Sequence, residues 1–383
     1  MGALLILIGY LLGSAFGSAT AGLVIALLIW AILSLVGYFQ GDSILLSMSG
    51  AKKISRDDHP RLYNVVEEMK IASGLEKVPD IYIIDDPALN AFATGRDPNK
   101  ASVAITSGLL QKLNRDELQG VIGHEISHVK HRDVLLMAMC SVVLGTIVIL
   151  AWYGSRFLFW GSMTGSRRSS SSREGGGGGG QLIILLVALV FIILAPIFAQ
   201  LIYFAISRKR EYLADASSAL YTRYPEGLAS ALEKIGTSTG QLRSANKATA
   251  PMYIVNPFRQ QGMQASDLTS THPPISERIR ILRAMAGASF NDYDQAYRQA
   301  HGGKGVIPAA SLAAEAVPIA TVKLEGEAGE LDEIQRTRET SDVMWRLSNY
   351  KTITCDCGAK LRVPPQFTEP QIKCPRCGRT HQI

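Results

Sequence analysis

Three long stretches without any charged residue most constrain how this chain can fold. They cover Met1–Gly41, Val134–Ser155 and Gln181–Ser207, and the latter two are 22 and 27 residues long. A helix needs about 20 apolar residues to cross a bilayer, so we predict one transmembrane helix in each of these two. The first stretch is too long for a single crossing and carries small residues at positions 17–22, which predicts a helical hairpin.

A cleaved secretory signal peptide is the alternative for the N-terminal stretch. Such a peptide combines a basic start with a short apolar core. Residues 1–41 contain no basic residue and stay uncharged for much longer. The sequence therefore favours a retained membrane hairpin.

Basic residues collect beside the apolar stretches, and the chain has a formal net charge of +6. Because basic flanks tend to stay in the cytoplasm, we expect a multi-pass protein of the plasma (inner) membrane whose soluble part is cytoplasmic. Three arginines within residues 161–180 weigh against this orientation. Anionic lipid headgroups account for the basic balance, so no nucleic-acid partner is expected. The flanking residues are Lys52, Lys53, Arg56, Lys130, Arg132, Arg208, Lys209 and Arg210.

The rest of the sequence predicts a mainly α-helical fold with a small β-sheet. Apolar spacing indicates helices in the soluble part, and short β-branched runs indicate strands. We expect five parts: a membrane hairpin (1–41), a soluble domain (42–133 with 207–301), an inserted membrane hairpin with a Ser/Gly-rich loop (134–206), a linker (302–350) and a small module (351–383).

Individual elements of the soluble domain can also be predicted. Helices are expected over Asp58–Ile71 and Arg115–Arg132, the second with Asn114 as its N-cap. The last apolar stretch has no break signal before Tyr221, so one long helix is expected to leave the membrane. A short helix is expected around Ser341–Leu347. Strands are predicted at Ile81–Ile84, Asn90–Thr94 and Ser102–Thr106.

The motif with the clearest chemistry is HEISH at residues 124–128. Positions i and i+4 of a helix share one face, so His124 and His128 can bind one Zn²⁺ through their imidazoles. Glu125 can accept a proton from a metal-activated water and pass it to the leaving amine. The motif therefore predicts a catalytic zinc site. His131 shares this face but lies two turns from His124, so it is interpreted as solvated or supporting.

A third zinc ligand is expected from a carboxylate on another helix. Glu211 and Asp215 are again four residues apart, so both can face one site. We assign Glu211 to the metal because its side chain is longer, and expect Asp215 to hydrogen-bond a ligand histidine. The alternative is that both acids pair with Arg208 or Arg210 on a charged helix surface.

At this point the chain resembles the M48 metallopeptidases, and within them the HtpX-like membrane proteases. The resemblance covers roughly residues 1–300 and is carried by four motifs in the family's order. Besides HExxH and the pair Glu211/Asp215, they are the segment from Asn90 through residue 95 with the following VAITSGLL, and the THPP motif followed by Arg278. It implies a membrane-embedded zincin-type metalloprotease fold.

The resemblance also implies roles for further residues. Glu211 would be the third zinc ligand and Asp215 would support the site. Asn90, Ala91, Phe92 and Ala93 would form an edge strand that a bound peptide could extend. His272 and Arg278 would lie near the site, where they could stabilise the oxyanion or hold the substrate. His272 could equally be structural.

The spacing of the zinc ligands suggests the substrate class. His128 and Glu211 enclose the predicted membrane hairpin, so the active site should lie close to the bilayer surface. We therefore expect membrane proteins, or their juxtamembrane segments, as substrates. The HtpX resemblance implies membrane-protein quality control. Processing of a prenylated CAAX substrate and a non-catalytic membrane scaffold are the alternatives.

The C-terminal module carries four of the five cysteines. Cys355 and Cys357 are followed by Cys374 and Cys377, and four thiolates can bind Zn²⁺ tetrahedrally. So small a segment cannot build a sufficient core without metal or disulfides, and a cytoplasmic location disfavours disulfides. The module is therefore interpreted as zinc-ribbon-like with a structural zinc.

Overall fold

The computed structural model describes residues 2–15, 17–164, 178–238, 242, 253–254, 272–314 and 332–383. Within this part of the chain the fold is mainly helical, with one four-stranded sheet and two small hairpins. The main core packs the sheet and the soluble helices together, and a second core lies among the apolar helices. The predicted mainly α fold with a small sheet is confirmed.

The N-terminal apolar stretch forms helices α1 (Gly2–Ala15) and α2 (Ala19–Met48), which pack closely against each other. Small residues allow this approach: a Cβ on Gly22 would come within 2.4 Å of the Gly13 Cα. The helix α2 runs past the predicted end at residue 41, because a single Asp42 does not interrupt it and the first break is Gly50 with a positive φ of 63°.

Two further long helices carry the later apolar stretches, α6 (Asp133–Thr164) and α7 (Gly178–Thr222). In the described residues, α2 and the Asp133–Tyr153 part of α6 are long and apolar enough to cross a membrane. The predicted span at 181–207 lies within α7, although the side chains of 181–189 lie outside the described residues. Most of the predicted loop at 161–180 also lies outside them. As predicted, α7 continues as one helix to Thr222.

The sheet has the order β1 (Lys52–Lys53), β2 (Asp80–Ile84), β4 (Ser102–Thr106) and β3 (Ala91–Thr94). The strands β2 and β4 are parallel, whereas β3 runs antiparallel to β4 with Phe92 opposite Ala104. Among the described strands β3 is therefore an outer one. It lies against helix α5 (Arg115–Lys130), so the backbone edge of the sheet faces the helix that carries HEISH.

The remaining soluble helices surround α5. They are α3 (Pro60–Ser73), α4 (Ser107–Lys112), α8 (Pro225–Thr237), α9 (Ile275–Arg283), α10 (Phe290–His301) and α11 (Ala309–Ala314). The helices α3, α7 and α8 each contact α5 directly. The HEISH helix thus lies at the centre of the soluble domain.

The helix α12 (Glu333–Leu347) lies in the predicted linker and is longer than the predicted Ser341–Leu347. Asp332 caps its start, and Thr340, Val343 and Met344 are buried where α12 packs on α4. The prediction placed its start too late because the polar composition of residues 302–350 concealed one short apolar face. The terminal module follows with β5 (Lys351–Thr354), β6 (Lys360–Val363), β7 (Gln371–Lys373) and β8 (Thr380–Gln382).

Candidate metal-binding active site

The helix α5 places both HEISH histidines on one face, where His124 is fully buried and the His128 side chain is 15% exposed. Its start is fixed by Asn114, which caps the helix as predicted and forms a capping box with Glu117. The Nε2 atoms of His124 and His128 lie 3.2 Å apart, with the two rings at 90°. Two ring nitrogens therefore converge on one point.

Glu211 reaches the same point from α7. Its Oε1 lies 3.4 Å from His128 Nε2, and its Oε2 lies 3.7 Å from His124 Nε2. One donor atom from each of the three residues lies within 4.8 Å of the others. The helix α7 brings Glu211 here because it continues unbroken from the apolar stretch into the soluble domain and packs along α5.

This cluster fits a bound metal ion on its own chemistry. Glu211 Oε2 is buried and accepts no hydrogen bond from any described residue, and although Arg278 Nη1 lies 3.4 Å away, a bound metal ion would satisfy this oxygen more completely. Burial by itself would raise the pKa of Glu211, but His272, His128 and Arg278 outweigh it and hold the pKa below its usual value. Two imidazoles and an ionised carboxylate form a donor set typical of Zn²⁺.

His128 has a supporting carboxylate that the sequence analysis missed. Its Nδ1–H donates to Asp133 Oδ2 at 2.9 Å, and Asp133 is also paired with Arg210. Burial lowers the pKa of His128, but Asp133 and Glu211 outweigh it and raise the pKa well above the ordinary value. The sequence showed a carboxylate five residues after His128, but Asp133 reaches the ring only because α5 ends at Lys130 and Arg132 adopts a positive φ of 55°.

His124 has the partner predicted for a ligand histidine. Its Nδ1 lies 3.0 Å from Asp215 Oδ1, and both side chains are fully buried. Burial lowers the pKa of His124, against the opposing effect of Asp215. The ring therefore presents Nε2 to the cluster while Nδ1 is engaged by Asp215.

Arg278 lies in the site but behind its carboxylates. It is fully buried and donates to both oxygens of Asp215, at 2.6 and 2.9 Å. It also donates to the Ile254 carbonyl at 3.2 Å and lies 3.4 Å from Glu211 Oε2. Its donors bind the chain itself, and the predicted contact with substrate or oxyanion stays a prediction. This geometry favours a positioning role.

His272 lies beside Glu211, with its Nε2 3.8 Å from Glu211 Oε1. It is 6% exposed, and burial lowers the pKa of its ring. A direct catalytic role for His272 stays a prediction.

Glu125 is buried between α5 and β3. Its Oε1 accepts no hydrogen bond from any described residue, and the Ala93 backbone N–H interacts with the carboxylate. Burial raises the pKa of Glu125 to about 7. A carboxylate with such a pKa can both take up and release a proton near neutral pH.

The predicted edge strand corresponds to β3, but its outer edge is partly occupied. The Ile254 backbone N–H donates to the Ala91 carbonyl at 2.9 Å, and Tyr253 packs edge-on against Phe92. The side chain of Asn90 accepts from the Ala91 backbone N–H and lies before the strand begins. Glu125 contacts β3 further along the strand, at the Ala93 backbone.

The four C-terminal cysteines form a second cluster. Cys355 Sγ lies 3.4 Å from Cys377 Sγ, and Cys357 Sγ lies 3.7 Å from Cys374 Sγ. All four thiols are free, and their sulfurs lie within 4.8 Å of one another. Such a set can hold one tetrahedral metal ion.

The fold and the site thus define a helical protein in which a buried His/His/Glu cluster lies beside a buried glutamate. Residues 56–286 match the family model described as peptidase family M48. The chain belongs to this family, and the resemblance seen in its motifs is confirmed.

Individual relatives extend the comparison. A "Protease HtpX homolog" of Dictyoglomus turgidum is 47% identical over 74% of this chain and 88% of that protein. One from Pyrococcus abyssi is 44% identical over 74% of this chain and 92% of that protein. The crystal structure of S. mikatae Ste24p is 19% identical with a TM-score of 0.43, over 73% of this chain and 62% of that chain.

Proposed function

We propose that this chain is a membrane-bound, zinc-dependent endopeptidase. The observation that carries the proposal is the convergence of His124, His128 and Glu211 beside the buried carboxylate of Glu125. These three residues would hold the zinc ion, which when bound supplies Lewis acidity to water and to the scissile carbonyl. Membership of a peptidase family agrees with this chemistry.

The remaining chemistry belongs to the chain's own groups. Glu125 takes a proton from the attacking water and delivers it to the leaving amine, a role that suits a carboxylate with a pKa of about 7. Asp133 and Asp215 orient the two histidine rings. Arg278 fixes Asp215, and the backbone of β3 at Ala93 provides a place for the substrate chain.

The proposed location is the membrane, with the site close to its surface. The cluster joins α5 to α7, and the helix that directly follows α5 has a span-length apolar segment, Asp133–Tyr153. Membrane proteins or their juxtamembrane segments are the proposed substrates, and membrane-protein quality control the proposed role. The catalytic domain is proposed to face the cytoplasm. Cleavage of soluble peptides without preference for membrane-anchored ones would contradict this substrate class.

A second zinc ion is proposed for the C-terminal module. Cys355 and Cys374 are buried in a small apolar cluster with Leu361, while few other side chains of the module are buried. A metal would then supply the stability that so small a core lacks. This ion is structural, because four thiolates leave no open position for substrate.

The decisive experiment follows proteolysis by the purified full chain in detergent, with added Zn²⁺, on an unfolded protein and a membrane-anchored reporter. We expect Glu125→Gln to lower kcat by about 10²–10⁴-fold, the range of a lost general acid–base, while metal content is unchanged. A Glu76→Gln variant, changed at an exposed position outside the site, serves as the matched control. Equal activity of wild type and Glu125→Gln would refute the proposal. Equal inactivity despite bound zinc would favour the scaffold alternative.

A further inference from the structure

We infer that a cavity beside the candidate active site is a specificity pocket for one large apolar side chain next to the scissile bond, and that Gly41 sets its depth. This inference rests on the proposed peptidase function. The cavity has a volume of about 270 Å³. It lies between α2, α6, α7 and the end of β3, and its wall includes Glu125, His128 and Glu211.

Most of the surface that lines the cavity is apolar. Leu45 and Met48 of α2, Val134 and Ala138 of α6 and Tyr203 of α7 contribute to it, and the charged residues Asp42, Arg96 and Arg210 belong to the same lining. An apolar cavity of about 150 Å³ suffices to bind benzene, so this one has room for a leucine or phenylalanine side chain. An apolar side chain is favoured there over a polar one, because most of the lining offers a polar group no hydrogen-bond partner.

Gly41 of α2 adds no side chain to the cavity wall. It lines the cavity, and a Cβ built on it would meet no described atom within 4 Å. One turn earlier, a Cβ on Gly37 would lie 3.3 Å from Val142 Cγ2, so that glycine serves the packing of α2 on α6. Close packing therefore does not explain Gly41, although glycine within a helix costs about 1 kcal/mol relative to alanine.

The polypeptide of a substrate can reach this pocket from the sheet edge. Ala93, Thr94 and Gly95 line the cavity next to Glu125. A peptide that pairs with β3 there directs alternate side chains to the same side. One of the two residues flanking the bond opposite Glu125 would then enter the pocket between the apolar helices.

The occupant is an apolar side chain of the substrate. The cavity is lined both by the candidate catalytic groups and by residues of α2, an apolar helix that is little buried in the fold. A segment leaving the bilayer is rich in such side chains. Discrimination between a large and a small apolar side chain in such a pocket is about 10–200-fold.

The test uses Gly41→Leu, with Gly145→Leu as the matched control. Gly145 is another helical glycine whose Cβ would meet no described atom within 4 Å, but it does not line the cavity. Matched peptides carry Phe, Leu or Ala in turn at each residue flanking the cleaved bond. We expect wild type and Gly145→Leu to prefer Phe or Leu over Ala in kcat/KM by at least tenfold at one position. We expect Gly41→Leu to reduce this ratio to about threefold or less while Ala peptides are still cut.

Binding of the same peptides to Glu125→Gln and to Glu125→Gln/Gly41→Leu, measured by fluorescence anisotropy, separates the pocket from the chemistry. A Phe-over-Ala preference in binding that Gly41→Leu removes supports the pocket even if wild type cuts nothing, in which case the proposed peptidase function fails alone. The inference is overturned if Gly41→Leu keeps the wild-type ratio, or if it weakens all peptides equally. It is also overturned if wild type shows no preference, which is the result expected if lipid fills the cavity.

Discussion

At the scale of single residues, each candidate ligand histidine is held by its own carboxylate, and each carboxylate by its own arginine. His124 is paired with Asp215 and Arg278, and His128 with Asp133 and Arg210. Asp133 and Arg210 flank the predicted inserted hairpin, whereas Asp215 and Arg278 both follow it. This double arrangement fixes both rings so that their Nε2 atoms face each other.

We predict that Asp133→Asn weakens zinc binding by about 10–100-fold, the range for loss of a carboxylate behind a ligand histidine. Asparagine retains the size and an acceptor oxygen but removes the charge that holds His128 and Arg210. The measurement is the zinc Kd by competition with a chelator. Asp97→Asn is the control, because Asp97 pairs with Arg132 at the surface and lies outside the cluster. An unchanged Kd would mean that Asp133 is not part of the metal site.

At the scale of elements, α3 begins with a buried histidine. His59 is fully buried and its Nδ1 accepts from the Leu62 backbone N–H at 3.3 Å. Burial, with the nearby Arg61, lowers the pKa of His59 to about 4. The neutral ring therefore caps the helix, and protonation would remove the acceptor.

The pH dependence follows from this lowered pKa. An unfolded histidine has a pKa near 6.5. Below that pH the His59 ring is therefore protonated in the unfolded state while it is still neutral in the folded state. Stability is then lost as pH falls from about 6.5 to about 4, by up to about 3 kcal/mol. We predict that His59→Asn, which keeps a capping oxygen, flattens the fall in Tm over this range. His301→Asn is the control, at an exposed position, and an unchanged slope for His59→Asn would contradict the assignment.

The close contact between α5 and α8 also limits which residues fit at Gly120. A Cβ on Gly120 would lie 2.6 Å from the Leu228 backbone nitrogen, so α8 would have to move. We predict that Gly120→Ala destabilises the fold by about 1–3 kcal/mol, seen as a lower Tm in detergent. Gly145→Ala, which has open space, is expected to leave Tm unchanged or raise it slightly. Equal behaviour of the two variants would contradict the packing argument.

At the scale of the whole molecule, α12 connects the cysteine module to the soluble domain. Asp342 pairs with Lys360 and Arg362 of the module. On its other side, α12 donates through Arg336 to the Gln111 carbonyl and pairs through Glu339 with Arg61. The module is thereby attached through a docked helix, even though residues 315–331 lie outside the described chain.

We predict that the two proposed metal sites are independent. The Cys374→Ser/Cys377→Ser variant should lower bound zinc from about two ions per chain to about one, since two of four ligands are lost. The ion at His124, His128 and Glu211 should remain. Elemental analysis of purified protein measures this, with Cys140→Ser as the control because Cys140 lies in α6 away from the cluster. Unchanged stoichiometry would exclude a metal at the cysteines, and loss of both ions would contradict independence.

The sequence by itself determined the features that depend on local spacing. The uncharged stretches gave the N-terminal hairpin and the long helices, because length and hydropathy act along a single segment. The four-residue spacing in HEISH and between Glu211 and Asp215 placed each pair on one helix face. The Asn114 cap followed from the same local pattern.

Only the tertiary structure decided which distant groups meet. Arg278 behind Asp215, Ile254 on the outer side of β3 and α12 on α4 join segments whose contact no periodicity reports. The cavity beside Gly41 arises in the same way, from three helices and a strand end that converge. Such contacts depend on how whole elements pack, because a buried polar group finds its hydrogen-bond partner in the assembled core and not in the neighbouring chain.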